Sequence, residues 1–390
     1  MEKDIYRDKI IQIFIMIELV LAVFINFCTV ILNNKTLVSV CFALNFFIFL
    51  LIFIIFLNSF KNISAYYLIL IVLSMINIFF SYVLNNTANF KNIIYIRCYI
   101  FFIVTNSFYY IISKIQVSKK LYLFTINCCF LTVLFNLGSY YILKNREIVA
   151  NGITLNFPNP NLTGLWISVS FMFGIIKVVE THSKIRKIIF FLLIILLLPI
   201  VVKTLSRNVI ISLVFLGLLV IYGLVFKINK MSKYILLLIL VFPFIFCFIY
   251  LACVNMPIMN KFYFLQSEGK TLNSRLYIWD YGLKHFLHYP LIGSYSQLIF
   301  DGNGGAQLHN TALDISSKYG IIVYLLFIKV NYNILKRINR NFLKKIQYLA
   351  LCCFLSIIVQ GIFEGGLYAG YYGLEYLIGG FLVIAKGYKR

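Results

Sequence analysis

Two arginines and one histidine in this chain of 390 residues each stand beside a break between apolar runs. Arg207 follows Thr204, Leu205 and Ser206 and opens an apolar run. Arg275 opens the segment RLYIWDYGLKHFLH, which lies in the one long interval between apolar runs, from about 255 to 319. His309 comes after the glycine-rich DGNGGAQ and directly precedes Asn310 and a further apolar run. An arginine presents a planar fork of donors that matches phosphate oxygens, and it stays charged at any relevant pH. A neutral imidazole is the usual general base near neutral pH. A helix start adds free backbone N–H groups and the positive end of a dipole. These residue types suit displacement of a diphosphate by a sugar hydroxyl. The arginines would offset charge on the leaving group, and the histidine would take the hydroxyl proton.

Each candidate has a plainer alternative. Arg207 could be an interfacial arginine that snorkels, although it lies on the side where positive charge is sparse. His285 and His288 are rivals to His309, but the helical spacing puts them on a face expected to be solvated. The four histidines, His182 included, have no metal-ligand spacing, and the outer segments hold no DxD-like acidic pair. A metal is therefore not implied, nor is any other cofactor. Glu364, near the end of a late apolar run, is a further acid for which a packing role is an equal alternative. The nine cysteines lie in apolar runs, and the adjacent pairs Cys128–Cys129 and Cys352–Cys353 lack zinc or redox spacing. They read as small packing residues.

The elements that must position these residues are apolar helices. Hydrophobic residues make up 62% of the chain and charged residues only 12%, about half the share in a soluble domain; mean hydropathy is +0.93. Runs such as 37–57 exceed the roughly 20 residues needed to cross a bilayer. The spacing predicts an all-α polytopic integral membrane protein with about twelve spans. These lie near 10–32, 37–57, 63–84, 93–113, 121–143, 162–179, 188–203, 207–226, 234–254, 311–330, 346–364 and 368–385. No repeat or soluble domain interrupts them, so 1–390 reads as a single membrane domain with one larger external loop, 255–310.

The excess of Lys and Arg, 35 against 12 acidic residues, sits in short connectors and reflects topology and membrane lipid, not nucleic acid. Positive charge falls on alternate connectors, for example Lys114, Lys119 and Lys120, then Lys184, Arg186 and Lys187. This pattern sets both termini in the cytoplasm and the long loop outside. Within that loop, 275–288 reads as an amphipathic helix capped by Asn273 or Ser274 and stopped before Pro290. Leu276, Trp279, Leu283, Phe286 and Leu287 form its apolar face, which can lie on the membrane surface or on the bundle of spans, with Trp279 at the interface.

Four separated pieces carry a resemblance to a known family: FPNPNLTG (157–164), TLSRN (204–208), NSRLYIW…GLKHFLHYPLIG (273–293), and LHN (308–310) followed by KYGIIVYLL. In order and spacing they resemble the O-antigen polymerases and O-antigen ligases of bacterial envelope glycan assembly, over roughly 145–330. The resemblance implies a membrane-embedded C-type glycosyltransferase, inverting and metal-independent, on the periplasmic face of the bacterial cytoplasmic (inner) membrane. Arg207 and Arg275 would engage the donor diphosphate, and His309 would be the base on the acceptor hydroxyl. Asn161 and Asn310 match motif positions that shape loops or contact sugar, and Glu364 is an additional substrate-side candidate. Polyprenyl-diphosphate-linked oligosaccharides would be the substrates, and a chain-length regulator a possible partner. The expected activity is a polysaccharide polymerase for O-antigen or capsule. A ligase to lipid A-core is the nearest alternative, and a lipid-linked oligosaccharide flippase or other transporter a more distant one.

Overall fold

The computed structural model describes residues 2–57, 63–84, 91–149, 152–226, 230–253, 266–267, 270–271, 273–293, 308–339, 344–363 and 373–388. Thirteen helices account for most of these residues: α1 (Glu2–Val30), α2 (Lys35–Leu57), α3 (Ala65–Leu84), α4 (Lys91–Lys114), α5 (Lys119–Leu137), α6 (Pro160–Glu180), α7 (Lys184–Lys203), α8 (Arg207–Val225), α9 (Lys233–Cys253), α10 (Asn273–His288), α11 (Thr311–Ile338), α12 (Lys345–Gln360) and α13 (Leu374–Lys386). Each apolar run of the sequence falls on one of them, and α10 is the helix expected inside the long loop. Among the described residues, eight helices are long and apolar enough to cross a membrane. The apolar stretches Ala65–Asn77, Ile100–Lys114 and Lys345–Gln360 are shorter, and α13 has 13 residues. The expected count of twelve spans thus exceeds what length and apolarity alone support.

The two short helices α12 and α13 form the centre of the bundle. Every residue from Ile346 to Gln360 and from Leu374 to Ala385 is buried. Helix α13 packs on α12, α4, α5 and α1, while α12 also meets α8, α6 and α9. The contacts with α13 are close because it carries glycine. A Cβ at Gly379 would come within 2.5 Å of the Phe108 ring, and one at Gly380 within 3.2 Å of Phe173. Small residues at helix crossings allow this approach, which matters where water supplies no hydrophobic drive between helices. Phe173 and Phe381 stack beside the crossing at 4.2 Å. By contrast α2, α7, α8 and α9 expose large apolar side chains such as Phe47, Leu192, Val214 and Ile249. A broad apolar exterior of this kind fits contact with lipid.

Two features of the connectors were not evident from residue pattern. The turn-rich segment before α6 contains a short antiparallel hairpin, β1 (Ile148–Val149) with β2 (Gly152–Ile153). A Cβ at Gly152 would lie 2.4 Å from the Thr204 carbonyl oxygen, so the hairpin rests on the α7–α8 break. Another pair, β3 (Gln266–Ser267) with β4 (Lys270–Thr271), precedes α10.

Helix α11 is eight residues longer than the run 311–330 suggested, and it kinks at Gly320, where φ is 82° and ψ 171°. That conformation is open essentially to glycine alone. The kink receives the chain that follows α10: Ile321 N–H donates to the Pro290 carbonyl at 2.8 Å. A Cβ on Gly320 would meet the Leu291 carbonyl oxygen at 2.2 Å, and one on Gly293 the Lys318 carbonyl oxygen at 2.4 Å. Two glycines with positive φ therefore let backbone touch backbone and lock α10 onto α11. Gly320→Ala should lower the thermal unfolding midpoint of the purified protein, by a destabilisation of about 1–3 kcal/mol. An unchanged midpoint would mean that the kink relaxes freely.

Candidate active site

The candidate residues gather around the chain that leaves α12. A helix ends with carbonyls that have no partner inside the helix, and the carbonyls just past α12 are taken up by residues starting two other helices. The Thr311 N–H donates to the Gly361 carbonyl at 2.8 Å. Asn310 Nδ2 donates to the Ile362 carbonyl at 3.0 Å, and Asn208 Nδ2 to the Phe363 carbonyl at 3.4 Å. The starts of α11 and α8 are thus tied to one turn. His309 and Arg207 are the residues immediately before those asparagines, so the turn brings together two of the three candidate catalytic positions.

Asn310 is fully buried. Its Oδ1 accepts from Leu313 N–H at 2.9 Å and caps α11, while Nδ2 makes a second bond to the Pro243 carbonyl at 3.0 Å. The side chain is spent on protein groups. Because Pro243 lies inside α9, α11 begins about 15 Å below the Cys253 end of α9, at about 1.5 Å per residue. The start of α11, and His309 with it, is therefore set back from that end of α9.

His309 is half-buried and has φ 48°, the left-handed region, where non-glycine residues are uncommon but histidine is enriched. Its neighbour Leu308 is held twice. The Leu308 N–H donates to Asp314 Oδ1 at 3.4 Å, and its carbonyl accepts from Trp279 Nε1 at 2.9 Å. Asp314 also pairs with Lys318 at 2.8 Å, one turn on. Fixed residues on either side hold His309 in its strained conformation.

Trp279 departs from expectation. It is fully buried rather than interfacial, with Tyr250 edge-on at 5.5 Å and Phe363 at 6.2 Å. Its neighbour Gly282 faces Leu308 and Leu313, so α10 lies on α11 and α9 rather than flat on a membrane surface. The cause is the indole N–H, which needs a partner when buried and finds the Leu308 carbonyl. Leu287, assigned to the apolar face, is 62% exposed. His285, expected to be solvated, is half-buried and stacks on Tyr281. Burial, and then the adjacent His288, pull its pKa below the ordinary histidine value.

Arg207 is the first residue of α8 and half-buried. Before it, Leu205 has φ 50°, and Ser206 stands at the N-cap without a side-chain capping bond. Ser206 is 1% exposed and its Oγ has no hydrogen-bond partner. Gln360, 2% exposed, ends α12 with neither amide atom bonded. It continues the i, i+4 ridge on which Tyr348 and Ser356 bond to α8, at the Leu219 carbonyl and the Ser212 hydroxyl. Helix α6 closes on the same break. A Cβ at Gly164 would be 2.8 Å from Ser206 Cβ and 2.6 Å from Val209 Cγ2. Its N-cap is Asn159, whose Oδ1 accepts from Leu162 N–H at 2.8 Å; Asn161 follows within the first turn, half-buried.

Arg275 belongs to the first turn of α10, one turn before Trp279. Its side chain lies outside the described residues, and so does Glu364 altogether. Among the described residues no three His, Cys, Asp or Glu side chains are grouped as metal ligands. Sequence reasoning missed Trp279 as an anchor, Asp314 as a brace and the two unpartnered polar groups. A signal for Gln360 was present, since it is polar inside an apolar run.

Residues 192–328 match a family model described as O-antigen ligase. Curated proteins and solved structures give no match. The matched segment runs from α7 into α11 and includes Arg207, Arg275, His309 and Asn310, while Asn161 and Glu364 fall outside it. The match covers about a third of the chain and is consistent with the resemblance to O-antigen polymerases and ligases that the later three sequence pieces carry; eight helices long and apolar enough to cross a membrane point to an integral membrane protein.

Proposed function

We propose that the protein is an inverting glycosyltransferase that acts as a polysaccharide polymerase, moving a polyprenyl-diphosphate-linked glycan onto a lipid-linked repeat unit of O-antigen or capsule. The observation that supports this reading best is the shared turn after α12, which ties down the residues next to Arg207 and His309. His309 takes the proton of the acceptor hydroxyl, and the oxygen attacks the anomeric carbon from the face opposite the diphosphate. The bond from that carbon to the phosphate oxygen breaks, the configuration inverts, and the polyprenyl diphosphate leaves. Arg207, the N–H groups that open α8 and Arg275 balance the charge on the leaving group, so the reading needs no metal. Ser206 Oγ and the Gln360 amide, buried without partners, are further donors within the polar lining. Catalysis is set outside the cytoplasm, with both termini inside. The polyprenyl tail lies in an apolar groove between the spans under the outer loop, and a chain-length regulator is the fitting protein partner.

The second reading is a ligase to lipid A-core or another terminal acceptor, which the description of the matching family model favours. The modest outer loop favours the polymerase. The two are separated by glycan length in cells carrying His309→Ala, Arg207→Ala or Arg275→Ala at matched protein levels. A polymerase yields single repeat units that still reach the surface, whereas a ligase leaves long glycan on its lipid carrier. A normal ladder in all three variants would refute the site. Loss of the base should lower the transfer rate by about 10²–10⁴.

A second expectation concerns the support beneath His309. Asn310→Asp keeps the cap acceptor but removes both amide donors and strands two buried carbonyls, at about 1–3 kcal/mol each. Its unfolding midpoint should fall well below wild type, and Asn310→Ala, which also loses the cap, should fall further. Equal midpoints for Asp and wild type would show that these carbonyls find other donors.

A further inference from the structure

At the opposite end of α6 from its cap, α5, α6 and α7 border a half-open cavity of about 370 Å³. Its floor is apolar, made by Leu123, Ile126 and Phe190, and its rim carries Lys177 and Arg186. Lys177 donates to Asn127 Oδ1 across the cavity and its ammonium stands 5.5 Å from the centre of the Phe190 ring. Lys177 and Arg186 come from different helices and both line the cavity, with the Glu180 carboxylate acting on Lys177 beside them. Glu180 also lines the cavity and accepts from the Tyr122 hydroxyl at 3.4 Å.

Helix α7 adds a second, independent oddity. Its first turn carries Lys184, Arg186 and Lys187 with no acidic residue, and its N-cap Ser183 makes no side-chain capping bond. Cations in a first turn oppose the helix dipole, whose N-terminal end is already positive. This end of α7 thus gathers positive charge from side chains and backbone together, beside a cavity with an apolar floor. An anion seated there offsets both.

We infer that this cavity is a binding site for a phosphate group. The phosphate lies between Lys177, Arg186 and the free N–H groups of α7, above the Leu123, Ile126 and Phe190 floor. The charge distribution of the connectors assigns this end to the cytoplasm, where the membrane surface is rich in anionic lipid phosphates. A phosphate ester on a lipid and free phosphate share the chemistry that would be recognised. The inference is independent of the proposed glycan transfer and lies at the other end of the bundle.

The test uses the full chain in detergent and native mass spectrometry with dioleoyl phosphatidylglycerol or phosphatidylcholine. Wild type should retain phosphatidylglycerol preferentially. The double substitution Lys177→Gln and Arg186→Gln should weaken retention by roughly tenfold to thirtyfold, as expected for the loss of two cations near a lipid phosphate. Substitution of Lys119 and Lys120 by Gln, basic residues that do not line the cavity, should leave it unchanged. Displacement of the lipid by millimolar inorganic phosphate would support a site for free phosphate, and its absence a lipid headgroup. Equal retention of both lipids, or equal loss in the two double variants, would overturn the inference. An unfolding midpoint near wild type in the Lys177, Arg186 variant, followed by tryptophan fluorescence, separates lost binding from lost folding.

Discussion

A helix that ends inside a bundle leaves carbonyls that water cannot reach, and they must find donors. The carbonyls of Gly361, Ile362 and Phe363 meet that requirement with Thr311, Asn310 and Asn208. Because the donors begin two other helices, satisfying the end of α12 fixes where α11 and α8 start. Neither asparagine could be replaced by an apolar residue of similar size without orphaning a buried carbonyl. The bundle is thus organised from its centre outward. Two short helices occupy the middle, and the longer ones are indexed to their ends.

The same economy governs the loop helix. Helix α10 is held at its middle by Trp279 and Ser317, which reach the Leu308 and Gly282 carbonyls. Beyond its end, Gly293 and Gly320 let two backbones touch. Leu308 is fixed at its carbonyl by Trp279 and at its N–H by Asp314, and His309 inherits that position. Strain in a left-handed histidine costs of order 1–3 kcal/mol and persists only where the surroundings over-determine it. Here they do.

Much of this was legible in the residues. Apolar runs located the helices because a membrane solvent leaves few alternatives, and the breaks at Ser206–Arg207 and His309–Asn310 fell at helix starts. Gly320 was not legible as a kink, because a lone glycine in a helical run is normally tolerated. Trp279 was misassigned because periodicity gives a helix an apolar face without saying whether lipid or protein covers it. The turn after α12 could not be foreseen at all. Its role depends on carbonyls, and every residue has one.

What the arrangement offers chemically comes from where the helix dipoles point. Helices α6, α8 and α11 begin around the same break, so their positive ends face a shared region. The opposing negative end, that of α12, is quenched by the amides and the N–H that bind its carbonyls. The positive ends of three helices thus meet about half a helix below the end of α9, before any arginine is counted. In such a partly desolvated place each charge acts more strongly than in water. An arginine at the α8 start adds to a field that the backbone has already built.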